Sequence, residues 1–390
     1  MLISVLCMPL SIGIKFCNEK LPQKYQQATI IAPAKICHLP SIVIQMEAEN
    51  LTNNVESISS LHFFLAPLRP LLDDEQVTEV CINKPHEAFI QRYSGWTHEN
   101  LPFANVSWCR NMANLVANRT NQGVDENSPL LSADLPSGER IQFVLPPAAE
   151  HVSITIRRPS SRVWTLDELA ANGLFDRCKA ASNELDDVEH RLLDLKNQHN
   201  YSDFLKLAVL SKKNILASGV TGSGKTTATK ALILEVPSDE RIIIIEDAKE
   251  LILNNHPNHV RLFYSKGTQG LANVTPKMLL EACLRMRPDR LFLAELRGDE
   301  AFDYLRVVAS HPGSITSVHG HTAELALAQM GLLIRQSEAG QALKSEEIRS
   351  LLYQTIDIVL QFDFEGSTRF VKEVWYKPDL KRLVANEQGR

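Results

Sequence analysis

Eight residues, Gly219-Val220-Thr221-Gly222-Ser223-Gly224-Lys225-Thr226, fit the spacing G-x-x-x-x-G-K-[ST]. The spacing has a physical reason. Glycines let the backbone enter positive φ, so several N–H groups converge on one phosphate. Lys225 adds a point charge for the β and γ phosphates, and the Thr226 hydroxyl is a ligand for Mg2+. A helix beginning here adds the positive end of its dipole to the same place. The flanks suit this reading. Asn214–Ser218 reads as a short buried strand and Thr227–Glu235 as a helix. The chain is therefore expected to bind a nucleoside triphosphate in a strand–loop–helix unit.

From residue 202 onward, strands and helices alternate. Arg241–Glu246, Arg290–Glu295 and Ser314–His319 are apolar runs suited to a sheet covered on both faces. Helical spacing falls between them at Thr275–Arg287, Glu300–Ser310 and Thr322–Gln336, and two strands close the pattern at Ile356–Phe362 and Arg369–Trp375. This predicts an α/β domain over 202–390 with a mainly parallel sheet. Residues 61–160 predict a smaller α+β domain. It opens with a helix interrupted by Pro67 and Pro70 and continues through strands at Val77–Ile82 and Glu87–Arg92. A helix at Val106–Arg119 follows, then strands at Arg140–Leu145 and Val152–Ile156. Residues 161–201 read as a linker. Leu185, Val188, Leu192 and Leu195 recur there at helical spacing, either packing on a neighbour or marking a plain surface helix.

The bulk numbers bound the classes. A chain of 390 residues holds two or three domains, and 44% hydrophobic with 22% charged residues is ordinary soluble composition. A net charge of -5 with 6% aromatics argues against a nonspecific nucleic-acid binder. No segment has the length of a bilayer-spanning helix. The 7 cysteines are dispersed and form no CxxC pair, which argues against a zinc ribbon and fits a reducing compartment. Met1–Ile14 is apolar, but no Lys or Arg precedes Lys15, unlike a secretory signal. Residues 1–60 show no organised patterning. They are expected to form an extension, poorly ordered over residues 1–45 or preceding a start at Met46.

Hydrolysis needs carboxylates at strand ends to hold Mg2+ and orient an attacking water. Glu295 closes one apolar run, and Asp247 and Glu250 follow another. Ligands in open α/β sheets gather at the carboxyl ends of strands, so these acids should reach the glycine loop. Asp247 reads either as a cleft acid or as a cap of the next segment. His319 ends a strand and reads as a γ-phosphate sensor or as a structural histidine. The transition state also calls for arginine. Arg140 follows the Pro136–Gly138 turn. Arg157 is turned outward by alternation with Ile154 and Ile156, either to clamp phosphate from a neighbouring domain or simply to face water. Arg158, beside Pro159, reads as structural.

Together, Gly219–Thr227, the acidic stretch Ile245–Leu251, Arg290–Gly298 with Glu295, and Gly313–His319 resemble the secretion ATPase superfamily. The chain is more closely similar to the type IV secretion system traffic ATPases of the VirB-eleven type. Leu65–Leu72, Leu135–Gln142, Val144–Pro147 and Ser153–Ser160 resemble that family's N-terminal domain, so the likeness covers residues 61–375. It implies a RecA-like P-loop NTPase C-terminal domain beside the smaller α+β domain, assembled as a homohexameric ring. It implies ATP and Mg2+ between the two domains of a subunit, with Gly219–Thr227 on the nucleotide and Thr226 and Glu295 on the metal. Glu250 becomes the general base, His319 the histidine-box residue, and Arg140 and Arg157 phosphate contacts. The ring would sit peripherally at the cytoplasmic face of the bacterial inner membrane. There it would work with other type IV secretion inner-membrane components in pilus assembly and substrate export, with no specific nucleic-acid contact of its own. Two departures stand out. Ala294 occupies the place where many RecA-like strands carry Asp, and the tetracysteine module of type II relatives is missing from the sequence. The rival readings are a pilus extension or retraction ATPase, a RecA-like nucleic-acid motor and a nucleotide-gated scaffold without turnover.

Overall fold

The computed structural model describes residues 2–7, 10–15, 60–159, 162–180, 184–265 and 272–379. The chain divides into two compact units, 1–59 and 60–390. In the first, β1 (Leu2–Cys7) pairs antiparallel with β2 (Leu10–Lys15). The rest of the expected extension, with the alternative start at Met46, lies outside the described residues.

The second unit contains two sheets. Its first six-stranded sheet is built from β3 (Val77–Lys84), β4 (Glu87–Arg92), β5 (Gly95–Asn100), β6 (Leu130–Asp134), β7 (Arg140–Val144) and β8 (Ser153–Arg157). Its order is β5-β4-β3-β8-β7-β6, antiparallel throughout. One face is covered by the helix Val106–Arg119, which starts where the Asn105 side chain accepts from Trp108 N. Cys109, Met112, Ala113, Val116 and Ala117 recur at helical spacing and are all buried. The prolines before β3 do not break the fold. Pro67 sits in the first turn of a 3-10 segment (Ala66–Leu68) and Pro70 in the first turn of the helix Arg69–Leu72, positions where no N–H is required.

The second sheet has seven strands: β9 (Ile215–Gly219), β10 (Ile242–Glu246), β11 (His259–Phe263), β12 (Arg290–Leu293), β13 (Ile315–Val318), β14 (Ile358–Glu365) and β15 (Thr368–Tyr376). The order is β11-β10-β12-β13-β9-β14-β15, with every neighbouring pair parallel except β14 and β15. Ile242–Ile245 are completely buried because apolar clusters cover both faces: Ile243 and Ile245 join one, Ile242 and Ile244 the other. The helix Asp187–Asn197 places Leu192 and Leu195 in the second cluster, with its Val188 and the preceding Leu185 packed against it, so this apolar stripe belongs to the core.

The two sheets meet at the amino ends of β10, β11 and β12. Arg241 is fully buried there. Its Nη1 donates to Asn83 Oδ1 (2.7 Å) and Asn258 Oδ1 (2.6 Å), and its Nε to the Met286 carbonyl (3.0 Å). These acceptors meet the demand of a buried cation for full hydrogen bonding. Trp96 Nε1 donates to Asp289 Oδ2 at 3.1 Å beside it. Residues 148–150 run along β11, with Phe263 N donating to the Ala148 carbonyl at 2.8 Å. Among the described residues, no helix is long and apolar enough to cross a membrane.

Candidate functional site

The glycine loop leaves the carboxyl end of β9 and enters the helix Lys225–Leu234. Its glycines serve different ends. A Cβ on Gly219 would stand 2.6 Å from the Phe362 carbonyl oxygen and 2.7 Å from Ser223 Oγ. Gly222 and Gly224 hold φ of 82° and 98°, values that side-chain-bearing residues rarely adopt. Ser223 Oγ donates to the Val220 carbonyl at 2.8 Å and tightens the turn. No side chain caps the helix, so its leading N–H groups face the loop as anion donors. Lys225 Nζ folds back onto the carbonyls of Gly219 (2.6 Å) and Val220 (3.1 Å). Partial burial pulls its ammonium below the ordinary lysine range, opposed by the Glu295 carboxylate. Thr221, Thr226 and Thr227 are exposed.

Glu246, at the end of β10, shapes the acidic stretch. It is fully buried. Its Oε1 accepts the Glu250 and Leu251 amides at 2.9 and 2.8 Å, and Arg261 Nη2 donates to Oε2 at 2.6 Å. The carboxylate thereby curls residues 247–251 back over the strand end. Asp247 accepts from Arg297 Nη1 at 3.0 Å, and Glu250 is exposed in the cleft wall.

Glu295 follows β12. Arg297 Nη2 donates to its Oε2. Its Oε1 is buried without a hydrogen bond; His319 Nε2 lies 2.8 Å away but off the line of one. Ser317 Oγ donates to the Ala294 carbonyl at 2.8 Å and ties the end of β12 to β13. The glycine loop, Asp247, Glu250, Glu295 and His319 thus line one cleft of about 1020 Å3 at the carboxyl ends of the parallel strands. The β14–β15 hairpin supplies the remaining wall through Phe362 and Arg369.

Mg2+ fits these donors in kind. The Thr226 hydroxyl sits at the helix start, and Glu295 Oε1 is a buried carboxylate oxygen with no hydrogen bond. Among the described residues, no cluster of three His, Cys, Asp or Glu side chains is placed to hold a metal. A magnesium ion held mainly by phosphate and water needs only one or two protein ligands.

Arg140 and Arg157 do not line the cleft of their own chain. They are cross-strand partners on β7 and β8. Arg157 Nε lies 3.5 Å from Glu79 Oε1. Burial raises the Glu79 carboxyl to about 7, with Arg157, Arg287 and Arg241 pulling the other way. That company puts Arg157 toward the amino ends of the second sheet, opposite the glycine loop. The sheets join at Arg241 and not at the cleft, which leaves both arginines outside the lining of that cleft. Arg158 behaves as a structural residue, its Nη1 donating to the Asp74 carbonyl at 3.1 Å. Arg297 and Arg369 escaped the sequence reading as site-builders, and Glu246, which opens the acidic candidate stretch, is the residue that holds that stretch in place. Arg297 stands two residues after Glu295, a usable signal, whereas Arg369 reaches the loop only through the sheet order.

The chain belongs to the type II/IV secretion system protein family, whose model matches residues 64–361. Within it, the chain is 44% identical over 339 residues to type IV secretion system protein VirB11 of Brucella suis biovar 1, covering 85% of this chain and 94% of that protein. Type IV secretion system protein PtlH of Bordetella pertussis is 39% identical over 330 residues, covering 83% and 96%. The crystal structure of the VirB11 ATPase from the Brucella suis type IV secretion system, in complex with sulphate, superposes with a TM-score of 0.80 at 44% identity, covering 86% of this chain and 99% of that one.

Proposed function

We propose that this protein is a Mg2+-dependent ATPase that powers type IV secretion. The observation that carries the reading is the convergence of Lys225, Glu295, Glu250 and His319 on one cleft at the carboxyl ends of parallel strands. The reading takes residues 202–390 as a RecA-like P-loop domain, 61–160 as the N-terminal domain, 161–201 as the linker and 1–60 as an extension. The loop amides and Lys225 bind the triphosphate, and Lys225 gives up the Gly219 and Val220 carbonyls to reach it. Thr226 and Glu295 would hold Mg2+, which would supply neutralising charge for the phosphates when bound. Glu250 orients the attacking water and takes its proton, and His319 reads the γ-phosphate. Asp247 and Arg297 keep Glu295 aimed through the ion pairs described above.

The reading includes a homohexamer at the cytoplasmic face of the inner membrane, working with other secretion components. In such a ring, Arg140 and Arg157 act on the nucleotide of a neighbouring copy. Both are exposed and adjacent on one sheet, yet absent from their own cleft. The test is steady-state phosphate release with native mass measured in parallel. Wild type should hydrolyse Mg-ATP as a six-fold ring. Lys225→Ala should lose binding and turnover, and Glu295→Gln should bind ATP without hydrolysing it. Undiminished hydrolysis by Lys225→Ala would refute the site.

A further inference from the structure

The β14–β15 hairpin reaches the glycine loop through one side chain. Arg369, opposite Phe364 in the hairpin register, donates from Nε to the Gly222 carbonyl at 2.8 Å. The next peptide N–H, from Ser223, is taken by the Val220 carbonyl at 3.3 Å, so the peptide joining Gly222 and Ser223 is held at both ends. The arginine stem lies against Gly224, where a Cβ would meet Arg369 Cδ at 3.4 Å. The residue is exposed and forms part of the cleft wall. Its two Nη groups have no partner among the described residues. A planar fork fixed at Nε, with its outer edge uncommitted beside an anion loop, has the form of a phosphate clamp.

We propose that Arg369 is a phosphate-contacting residue of the nucleotide site: Nε holds the loop, and the Nη edge binds oxygens of a nucleoside di- or triphosphate. The proposal rests on the ATPase reading above. It assigns the C-terminal hairpin a part in binding, so that occupancy of the cleft is felt directly by β15.

The test is equilibrium titration of the full chain with fluorescent Mg-ATP and Mg-ADP, alongside KM, kcat and thermal melting. Arg369→Gln keeps the stem against Gly224 and loses the charge; Arg369→Lys keeps a charge and loses the fork. Loss of one or two charge-assisted hydrogen bonds should weaken both nucleotides about 10- to 100-fold in Arg369→Gln. KM should rise more than kcat falls, the melting temperature should hold, and Arg369→Lys should recover part of the affinity. Wild-type affinity in Arg369→Gln would overturn the proposal. So would a loss that appears only together with lowered melting temperature, which would make the contact structural. If wild type itself took up no ATP, the ATPase reading would fail first; wild-type binding with an indifferent Arg369→Gln would sink this proposal alone.

Discussion

Replacing Glu246 with alanine should loosen the acidic stretch without touching the glycine loop. Glu246 is fully buried and serves two backbone amides and one guanidinium. A hydrogen bond to a charged group contributes about 1.5–3 kcal/mol, and breaking one side of a buried pair costs about 3–5 kcal/mol. The terms overlap, since Arg261 retains a distant partner in Glu150 at 3.9 Å. A total near 5 kcal/mol follows for Glu246→Ala, and about half for Glu246→Gln, which keeps an acceptor for the amides. Urea unfolding reads the global part. Amide hydrogen exchange at Glu250 and Leu251 reads the local part, and both amides should lose protection. Hydrolysis should then fall further than ATP affinity, because Asp247 and Glu250 lose their placement while Lys225 keeps its own. A cost below about 1 kcal/mol, or unchanged exchange at those two amides, would refute the idea that this carboxylate organises the stretch.

Three further outcomes follow from the geometry. Gly219→Ala should destabilise by about 2 kcal/mol or more and abolish nucleotide binding, because a Cβ would press on the Phe362 backbone oxygen; normal ATP binding by this variant would count against the packing argument. Glu79 is raised from 4.5 to about 7 in the folded chain, so it favours the fold fully below pH 4.5 and loses that contribution as pH rises through 7. At about 1.4 kcal/mol per tenfold in proton affinity the swing is about 3 kcal/mol, and Glu79→Gln should flatten it in urea titrations at several pH values; an identical pH slope in the variant would contradict this. Arg241→Met should cost about 3 kcal/mol or more by leaving Asn83 Oδ1 without its donor and Asn258 Oδ1 with Asn83 Nδ2 in place of two donors, and should raise proteolysis between the sheets; resistance equal to wild type would argue against the clasp.

Much of the second sheet was legible because its strands are short apolar runs ending in polar residues. Arg241–Glu246 and Ser314–His319 predicted β10 and β13 nearly to the residue. β5 was missed because it is an edge strand with a polar sequence, Gly-Trp-Thr-His-Glu-Asn, that carries no alternation. β11 was missed for a similar reason: His259 and Arg261 interrupt its apolar positions, and Arg261 is buried only because Glu246 pairs with it. The glycine loop and its acids were readable because local spacing dictates them. The placement of Arg140, Arg157 and Arg369 was not, since it depends on which edges and ends of two sheets meet. Glu246 looked like one more strand-end acid, and only its burial reveals a structural carboxylate.

The clasp at Arg241 has a mechanical consequence. β10 runs from that guanidinium to Glu246 in five residues, a length of about 17 Å. The same strand therefore starts at the joint with the first sheet and finishes at the mouth of the cleft. A strand buried on both faces and hydrogen-bonded on both sides is among the least compliant parts of a protein. Displacement at one end is therefore carried to the other, so β10 couples the joint between the sheets to the cleft.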